Sequence, residues 1–402
     1  MTGSAQSGRS PSPPNNPDLI PEPIQSVARL CKQAGGALFL VGGCVRDMLL
    51  GLDPKDWDCE VFGIKAPLLE KLLVYHFNGQ VQVLGKTFGV WSCGSAGEYG
   101  PYEITLPRRE CKQGTGHTGF HITHDPYMDL DQAAARRDLT INALYYDCGD
   151  GVVFDPTGRG LSDLWNGCAH PTSERFKEDP LRVLRAMQFI GRFNLTPTPE
   201  LIRLSREVKP EFHTLSNERV WAEWDKFLTK SPQIWGGLKF LIDCEWSQFF
   251  IRMSIDEHDM IRLTLDNNNN LRAPVEIRRS VHFVWVWICG IDTKKISNTK
   301  ADAKLADRLW VWGFPSVQSK TSLRLASRHL DNRIMVEAMR MTHTPVEIMN
   351  VIQFLGQDQI WGSFHLQRRT GQDLIREGIQ PGPAFKKLLE QEYYAQLLGL
   401  VD

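Results

Sequence analysis

The sequence predicts an α+β protein, a small mixed sheet followed by helices, and three observations carry that expectation. Short strand-like runs at 37–41, 81–84, 88–93 and 102–106 alternate with helical patterns up to about residue 150. From 174 onward the apolar residues fall at helical spacing instead. The length, 402 residues, suits two or more domains with a sizeable core.

In chain order, residues 1 to about 23 are rich in Ser, Pro, Gly and Asn and read as a flexible tail. Residues 24–33 give the first helix. LFLVGGCVRDMLLGLDPKDWDCE (38–60) then supplies a strand ending at Gly42-Gly43, a short helix over 45–50, a turn at 51–54 and a second strand carrying Asp56 and Asp58. Residues two apart on a strand share a face, so these two acids are expected side by side, with Trp57, Cys59 and Val61 turned into the core. A helix at 68–76 follows, and then strands, the last carrying Glu103. This order describes a small mixed sheet with helices on one face. CKQGTGHTGFHITH (111–124) reads as a mobile loop; His117, His121 and His124 lack the fourth ligand and tighter spacing of a zinc site. DQAAARRDLTINALYYD (131–147) reads as one helix. VVFDPTGRGLSDL (152–164) reads as strand, turn and helix, closing the first domain near residue 150. ERFKEDPLRVLRAMQFIGRF (174–193) is helical by its periodicity, with Asp179 as N-cap and Pro180 at the first helical position.

Paired carboxylates repel each other unless a cation lies between them, and hard oxygen ligands suit Mg²⁺. Paired glycines before a helix start let backbone N–H groups approach a phosphate. A lone DxD is often a solvated strand end, and GG before a helix is common; in order and about a dozen residues apart, they point to nucleotidyl transfer. Glu103 is a candidate third carboxylate across the sheet, with an exposed strand Glu as the equal alternative. Asn142 lies one helical turn beyond Asp138, so Arg137, Asp138 and Asn142 form a polar line able to hold a ribose and its phosphates. A solvated face with an internal Arg–Asp pair explains the same charges.

Asp179 and Arg182 are three apart and share a helix face. A carboxylate beside a guanidinium fork offers an acceptor and two donors in one plane. Cytosine and adenine both present an amino donor beside a ring-nitrogen acceptor, whereas uracil and guanine would meet like with like. Each unpaired polar group costs about 1–3 kcal/mol, so such an edge selects C and A without a template strand.

GGCVRD with DWD, then RRDLTIN, DPTGRGLSDL and EDPLRVLRA, closely resembles the class II tRNA nucleotidyltransferase (CCA-adding enzyme) and bacterial poly(A) polymerase family. The resemblance is clear over 38–193 and extends weakly through LSNERVWAEWDKFL (215–228). It implies a nucleotidyltransferase head (24–150), a helical neck with the base-reading motif (151–232), and a helical body and tail that bind tRNA (233–402). It implies that Asp56 and Asp58, with Glu103 as a looser match, hold two Mg²⁺ ions. Gly42, Gly43 and Arg46 lie in the triphosphate motif. Arg137, Asp138 and Asn142 would contact sugar and phosphates, while Glu178, Asp179, Arg182 and Arg185 belong to the base-reading motif. The implied substrates are CTP, ATP and the 3′ acceptor end of tRNA. Poly(A) synthesis or CC-only or A-only addition would share every motif, and an RNA-binding protein with a disused site is the reading from another class. Gln188 departs from the family, whose members commonly have Arg there. His258-Asp259 is the only candidate for a metal phosphohydrolase domain and lacks supporting ligands, so that domain is expected to be absent.

Composition bounds the rest. Apolar residues make up 42% and charged residues 23%, with a net charge of −1, so RNA contact must come from local basic clusters such as 272–279, 294–304, 324–333 and 367–369. Tryptophans 285, 287, 310 and 312 are expected in the core. EGIQPGPAFKKLLEQEYYAQLLG (377–399) joins a Gly/Pro turn to a helix start able to hold a phosphate. Nine scattered cysteines, never spaced CxxC, point to a reducing cytoplasm rather than a disulfide framework. No apolar stretch is long enough to span a bilayer, the N-terminus lacks a signal-peptide core, and no obligate protein partner is evident.

Overall fold

In the computed structural model, residues 19–84, 89–94, 102–112, 120–232, 234–250, 371–380, 388–389 and 391 are described. The chain divides into two compact units. One is Met1–Ile190 with Asn194–Leu215 and Asp243–Glu245; the other is Gly191–Phe193 with Ser216–Ile242 and Trp246–Asp402.

The first unit opens with α1 (Glu22–Gln33), which buries Ile24, Val27, Ala28 and Cys31 at helical spacing. Ile20, which lies ahead of the expected boundary at about residue 23, is buried, and its carbonyl accepts a bond from Gln25 Nε2 at 2.8 Å. The strands are β1 (Ala37–Val41), β2 (Asp58–Phe62), β3 (Val81–Val83), β4 (Val90–Cys93), β5 (Tyr102–Thr105), β6 (Arg108–Lys112), β7 (Phe120–His124), β8 (Tyr145–Asp147) and β9 (Val152–Phe154). Seven of them form one sheet in the order β3-β4-β5-β2-β1-β8-β9. It is mixed because β2 and β5 run parallel while their other neighbours are antiparallel. Between strands lie α2 (Gly43–Leu49), α3 (Ala66–His76), α4 (Leu130–Ala135) and α5 (Gly160–Asn166).

Both faces of the central strands are buried, where the sequence reading put helices on one face. Leu38 and Leu40 oppose Val61 and Cys59 on one side. On the other, Phe39, Val41 and Tyr145 pack with Met128 and with Ala133 and Ala134 of α4. Trp57, Cys59 and Val61 are buried as expected.

Four other expectations are corrected. Residues 131–147 are not one helix: α4 ends at Ala135, Asp138 bonds the Leu139 N–H, a 3-10 turn spans Thr140–Asn142, and Tyr145–Asp147 enters the sheet beside β1. The aromatic and β-branched residues after Asp138 gain more from sheet pairing than from helix continuation. The 111–124 stretch is not loop throughout, because β6 and β7 pair in register from Arg108↔His124 to Lys112↔Phe120. Asp56 does not share a strand with Asp58; β2 starts at Asp58, and Asp56 occupies the bend before it. The helical remainder contains one short parallel pair, β10 (Cys168–Ala169) with β11 (Thr196–Pro197).

Still in this unit, residues 174–178 form a 3-10 turn, and α6 (Leu181–Phe193) begins after Pro180. Asp179, in extended backbone, accepts from Leu181 N at 3.0 Å, so it supplies the expected cap. α7 (Pro199–Glu207) is capped by Thr198, whose hydroxyl accepts from Leu201 N. In the second unit, α8 (Asn217–Lys230) and α9 (Ile234–Asp243) bury Trp224, Phe227, Phe240 and Leu241, and the Trp224 ring meets those of Phe227 and Phe250 edge-on. A short helix, α10 (Gly371–Arg376), closes the description. Among the described residues no helix is long and apolar enough to cross a membrane, and Cys31, Cys44, Cys59, Cys93, Cys148, Cys168 and Cys244 are free thiols. The tryptophans at 285, 287, 310 and 312, the basic clusters, His258-Asp259, His117 and most of 377–399 lie outside the described residues.

Candidate active site

The acids lie on one edge of the sheet face that carries Phe39. Asp58 opens β2 and stands in register with Glu103 on the parallel neighbour β5. Asp58 keeps solvent access, yet its carboxyl is held above the usual range, first by the protein packed around it, then by the charge of Glu103, with Asp56 adding to the effect. Arg137 and Arg185 pull it the other way. Asp58 is therefore the point where the two acids and two arginines, drawn from four segments of the chain, all make themselves felt. Among the described residues no group of three or more His, Cys, Asp or Glu side chains converges closely enough to enclose a metal by itself. The donor set still fits a hard divalent cation, which takes one or two carboxylates and completes its shell with water and phosphate oxygens.

Two residues further along the same face, Glu60 is fully buried. Arg136 Nη2 donates to its Oε1 at 2.5 Å, the Tyr145 hydroxyl donates to Oε2 at 3.1 Å, and Arg137 Nη2 lies 3.6 Å from Oε2. Arg137 also sits over the Tyr145 ring, 5.4 Å from its centroid. Burial opposes the charge on Arg137, but Tyr145, Glu60 and Asp58 outweigh it, and the guanidinium stays protonated. Gly42 has φ +74°, and a Cβ there would meet Arg137 Nη1 at 3.0 Å. Any other residue would be strained and would push against that guanidinium.

A second buried chain of polar groups joins the remaining expected residues. Arg46, 3% exposed, donates through Nη1 to Asn142 Oδ1 at 2.5 Å and through Nε and Nη2 to Asp47. Asn142 Nδ2 donates to Asp138 Oδ1 at 3.1 Å, and Arg185 Nε donates to Asp138 Oδ2 at 2.7 Å. Burial works against the Asp138 charge. The Arg185 guanidinium, Asn142 and the Leu139 N–H overcome it and hold the pKa down to about 2. Arg46 and Arg185 both lie over the ring of Phe189, at 5.2 and 5.4 Å. Arg46 and Asn142 are thus spent on holding other side chains.

Arg182, at the start of α6, donates Nη1 to the Arg175 carbonyl at 2.6 Å and Nη2 to the Arg136 carbonyl at 2.5 Å. The two carbonyls together fix the plane of the guanidinium. Glu178 is set apart: its Oε1 accepts from Arg175 Nε at 2.9 Å, and it lines a cavity of about 490 Å³ with Glu174, Lys177 and Glu207. Gln188 is buried, and its Nε2 has no partner among the described residues.

Sequence reasoning missed Glu60, Arg136, Tyr145 and Phe189. Glu60 sits at i+2 from Asp58, so the alternation that paired the acids extends one step further to it. Arg136 is the first of the two arginines before Asp138. Tyr145 and Phe189 also have partners 85 and 143 residues away, Glu60 and Arg46, which no local pattern reveals.

The chain is similar to known proteins in both sequence and fold. Residues 38–169 match the family described as Poly A polymerase head domain. The Multifunctional CCA protein of Tolumonas auensis is 41% identical over 214 residues, 52% of this chain and 48% of that protein. The Multifunctional CCA protein of Mannheimia succiniciproducens is 36% identical over 258 residues, 61% of this chain and 58% of that one. The chain spans about half the length of the curated relatives it matches. In fold it is similar to the Bacillus stearothermophilus CCA-adding enzyme in complex with CTP, with a TM-score of 0.66 at 19% identity over 95% of both chains. It is likewise similar to the Thermotoga maritima CCA-adding enzyme complexed with tRNA, with a TM-score of 0.63 at 18% identity over 94% of this chain and 90% of that one. The resemblance read from the motifs is borne out, and the α+β head followed by helices is the shared fold.

Proposed function

Taking residues 38–169 as a poly A polymerase head domain, we propose that the protein is a template-independent RNA nucleotidyltransferase that adds C, C and A to tRNA 3′ ends from CTP and ATP, with release of pyrophosphate. One observation carries the reading. Asp58 stands in register with Glu103 on the neighbouring strand, and the charges of Asp56, Arg137 and Arg185 reach it, so carboxylates for metal and guanidiniums for phosphate serve one place. Asp56 and Asp58, with Glu103 beside them, would hold divalent cations, two Mg²⁺ in the fullest form of the proposal. When bound, such ions activate the primer hydroxyl and neutralise the departing pyrophosphate. Phosphoryl transfer then asks the protein mainly for positioning. Gly42 and Gly43 admit the phosphates to the backbone. Arg137 meets their charge. Asp138 fixes Arg185, and two carbonyls fix the plane of Arg182, which with Asp179 would read the amino and ring-nitrogen edge of C or A. Head 24–150, neck 151–232, and body and tail 233–402 remain the proposed division of labour, with the last contacting tRNA, in the cytoplasm.

The name of the matched family favours poly(A) synthesis as the second reading. Incubating the full chain with tRNA transcripts lacking CCA, CA or A, and with each nucleotide alone, separates the two. CCA addition predicts that incorporation stops after the terminal A. Long A tails on any RNA end would establish the poly(A) reading, and C or A added alone would mark a partial enzyme. No incorporation would leave an RNA-binding protein with a disused site. Arg182→Ala should relax the preference for CTP and ATP over UTP and GTP by at least about tenfold.

A further inference from the structure

Glu60 is the buried carboxylate that Arg136, Tyr145 and Arg137 share. It lies on the same face of β2 as Asp58 and is 0% exposed. A buried carboxylate persists only when it is paired, and both oxygens are: Oε1 by Arg136 Nη2 at 2.5 Å, and Oε2 by the Tyr145 hydroxyl at 3.1 Å and Arg137 Nη2 at 3.6 Å. Arg137 is thereby restrained on three sides: Nη2 faces Glu60, Nε faces the Tyr145 hydroxyl at 3.5 Å, and the guanidinium lies over the Tyr145 ring. The remaining arm, Nη1, stands at Gly42, where even a Cβ would come within 3.0 Å of it. A planar fork held by two of its nitrogens has a fixed third, which a flexible ammonium would not.

From this geometry we infer that Glu60 is a positioning residue, holding Arg137 so that Nη1 receives an oxygen of the incoming triphosphate beside Gly42. The inference rests on the nucleotidyltransferase reading and deepens it. Because the contact is with phosphate and not with the base, CTP and ATP are affected alike.

The test uses the full chain in Mg²⁺ buffer with two readouts: calorimetric binding of inorganic tripolyphosphate, and KM and kcat for CTP and ATP on tRNA lacking its 3′ CCA. Glu60→Gln keeps the shape and removes the charge. It should weaken tripolyphosphate about tenfold, the scale of one charge-assisted hydrogen bond. It should raise KM for both nucleotides by that same factor and leave kcat within about threefold. Arg137→Gln should cause a similar loss, and the double variant should lose no more than about twofold beyond it, since both act through one contact. Tyr145→Phe, which keeps the ring and drops the hydroxyl, should give about a threefold loss and decides the matter if Glu60→Gln does not fold. Undiminished tripolyphosphate binding in a folded Glu60→Gln, fully additive losses, or no binding by the parent chain would each overturn the inference. If the parent binds tripolyphosphate in a Glu60-dependent way but incorporates no nucleotide, the proposed function fails and the positioning role stands.

Discussion

Two regions of the first unit are built from the same carboxylates and guanidiniums to opposite effect. At the surface, Lys177 bridges Glu174 and Glu207, and Arg203 bridges the same two, with every member well exposed. Around Asp138 and Glu60 the carboxylates are buried, and each oxygen has an assigned donor. Water can replace any partner in the first set, so its geometry specifies little. In the second the carboxylates are shielded by burial, so removing one group strands the others. The exposed lattice decorates the fold, whereas the buried one fixes where the site residues stand.

The contrast can be broken or sharpened by substitution. The largest effect belongs to Asp58, which is crowded by the charges of Glu103 and Asp56 rather than paired. Asp58→Asn should cut nucleotide incorporation by at least about a hundredfold, yet its thermal midpoint in metal-free buffer should equal or exceed that of the parent, because a repelling charge has gone. A fall in midpoint would show that Asp58 is a structural ion after all. Next comes Asp138→Asn, which leaves Arg185 without its counter-charge and should cost roughly 3 kcal/mol in urea unfolding.

That difference should vary with acidity in a definite way. The folded pKa of Asp138, about 2, lies below the unfolded value of about 4, so the folded protein is favoured by the ionised form. The contribution is fully present above about pH 4 and is lost as the pH falls toward 2. The gap between parent and Asp138→Asn should therefore narrow over that window, and a constant gap would refute the pairing. Gln188→Met, which removes a buried N–H with no partner, should stabilise the chain by about 1 kcal/mol. Smallest of all, Arg203→Ala should leave the midpoint within about 1 °C at physiological salt.

The head was legible in outline because its signals are local. Gly42-Gly43 ends β1, Asp58 starts β2, and alternation puts Trp57, Cys59 and Val61 inside. The break after Ala135 was not legible, because an Ala-rich start followed by Leu139, Ile141 and Leu144 satisfies helical spacing by chance. What overrides it is the pairing of Tyr145–Asp147 with a strand a hundred residues earlier. The site divides the same way. Asp58 and Glu103 can be placed by strand register, but the commitment of Arg46 and Asn142 to buried partners depends on side chains that meet only in the folded sheet.

The bond between Glu60 and Tyr145 spans 85 positions of the chain. During synthesis the acids of β2 therefore leave the ribosome long before Arg136, Arg137 and Tyr145 exist to balance them. Contacts so distant in sequence close late in folding. A nascent chain ending before Arg136 holds Glu60 with none of its folded partners. The buried polar set around Glu60 closes only when translation has delivered β8.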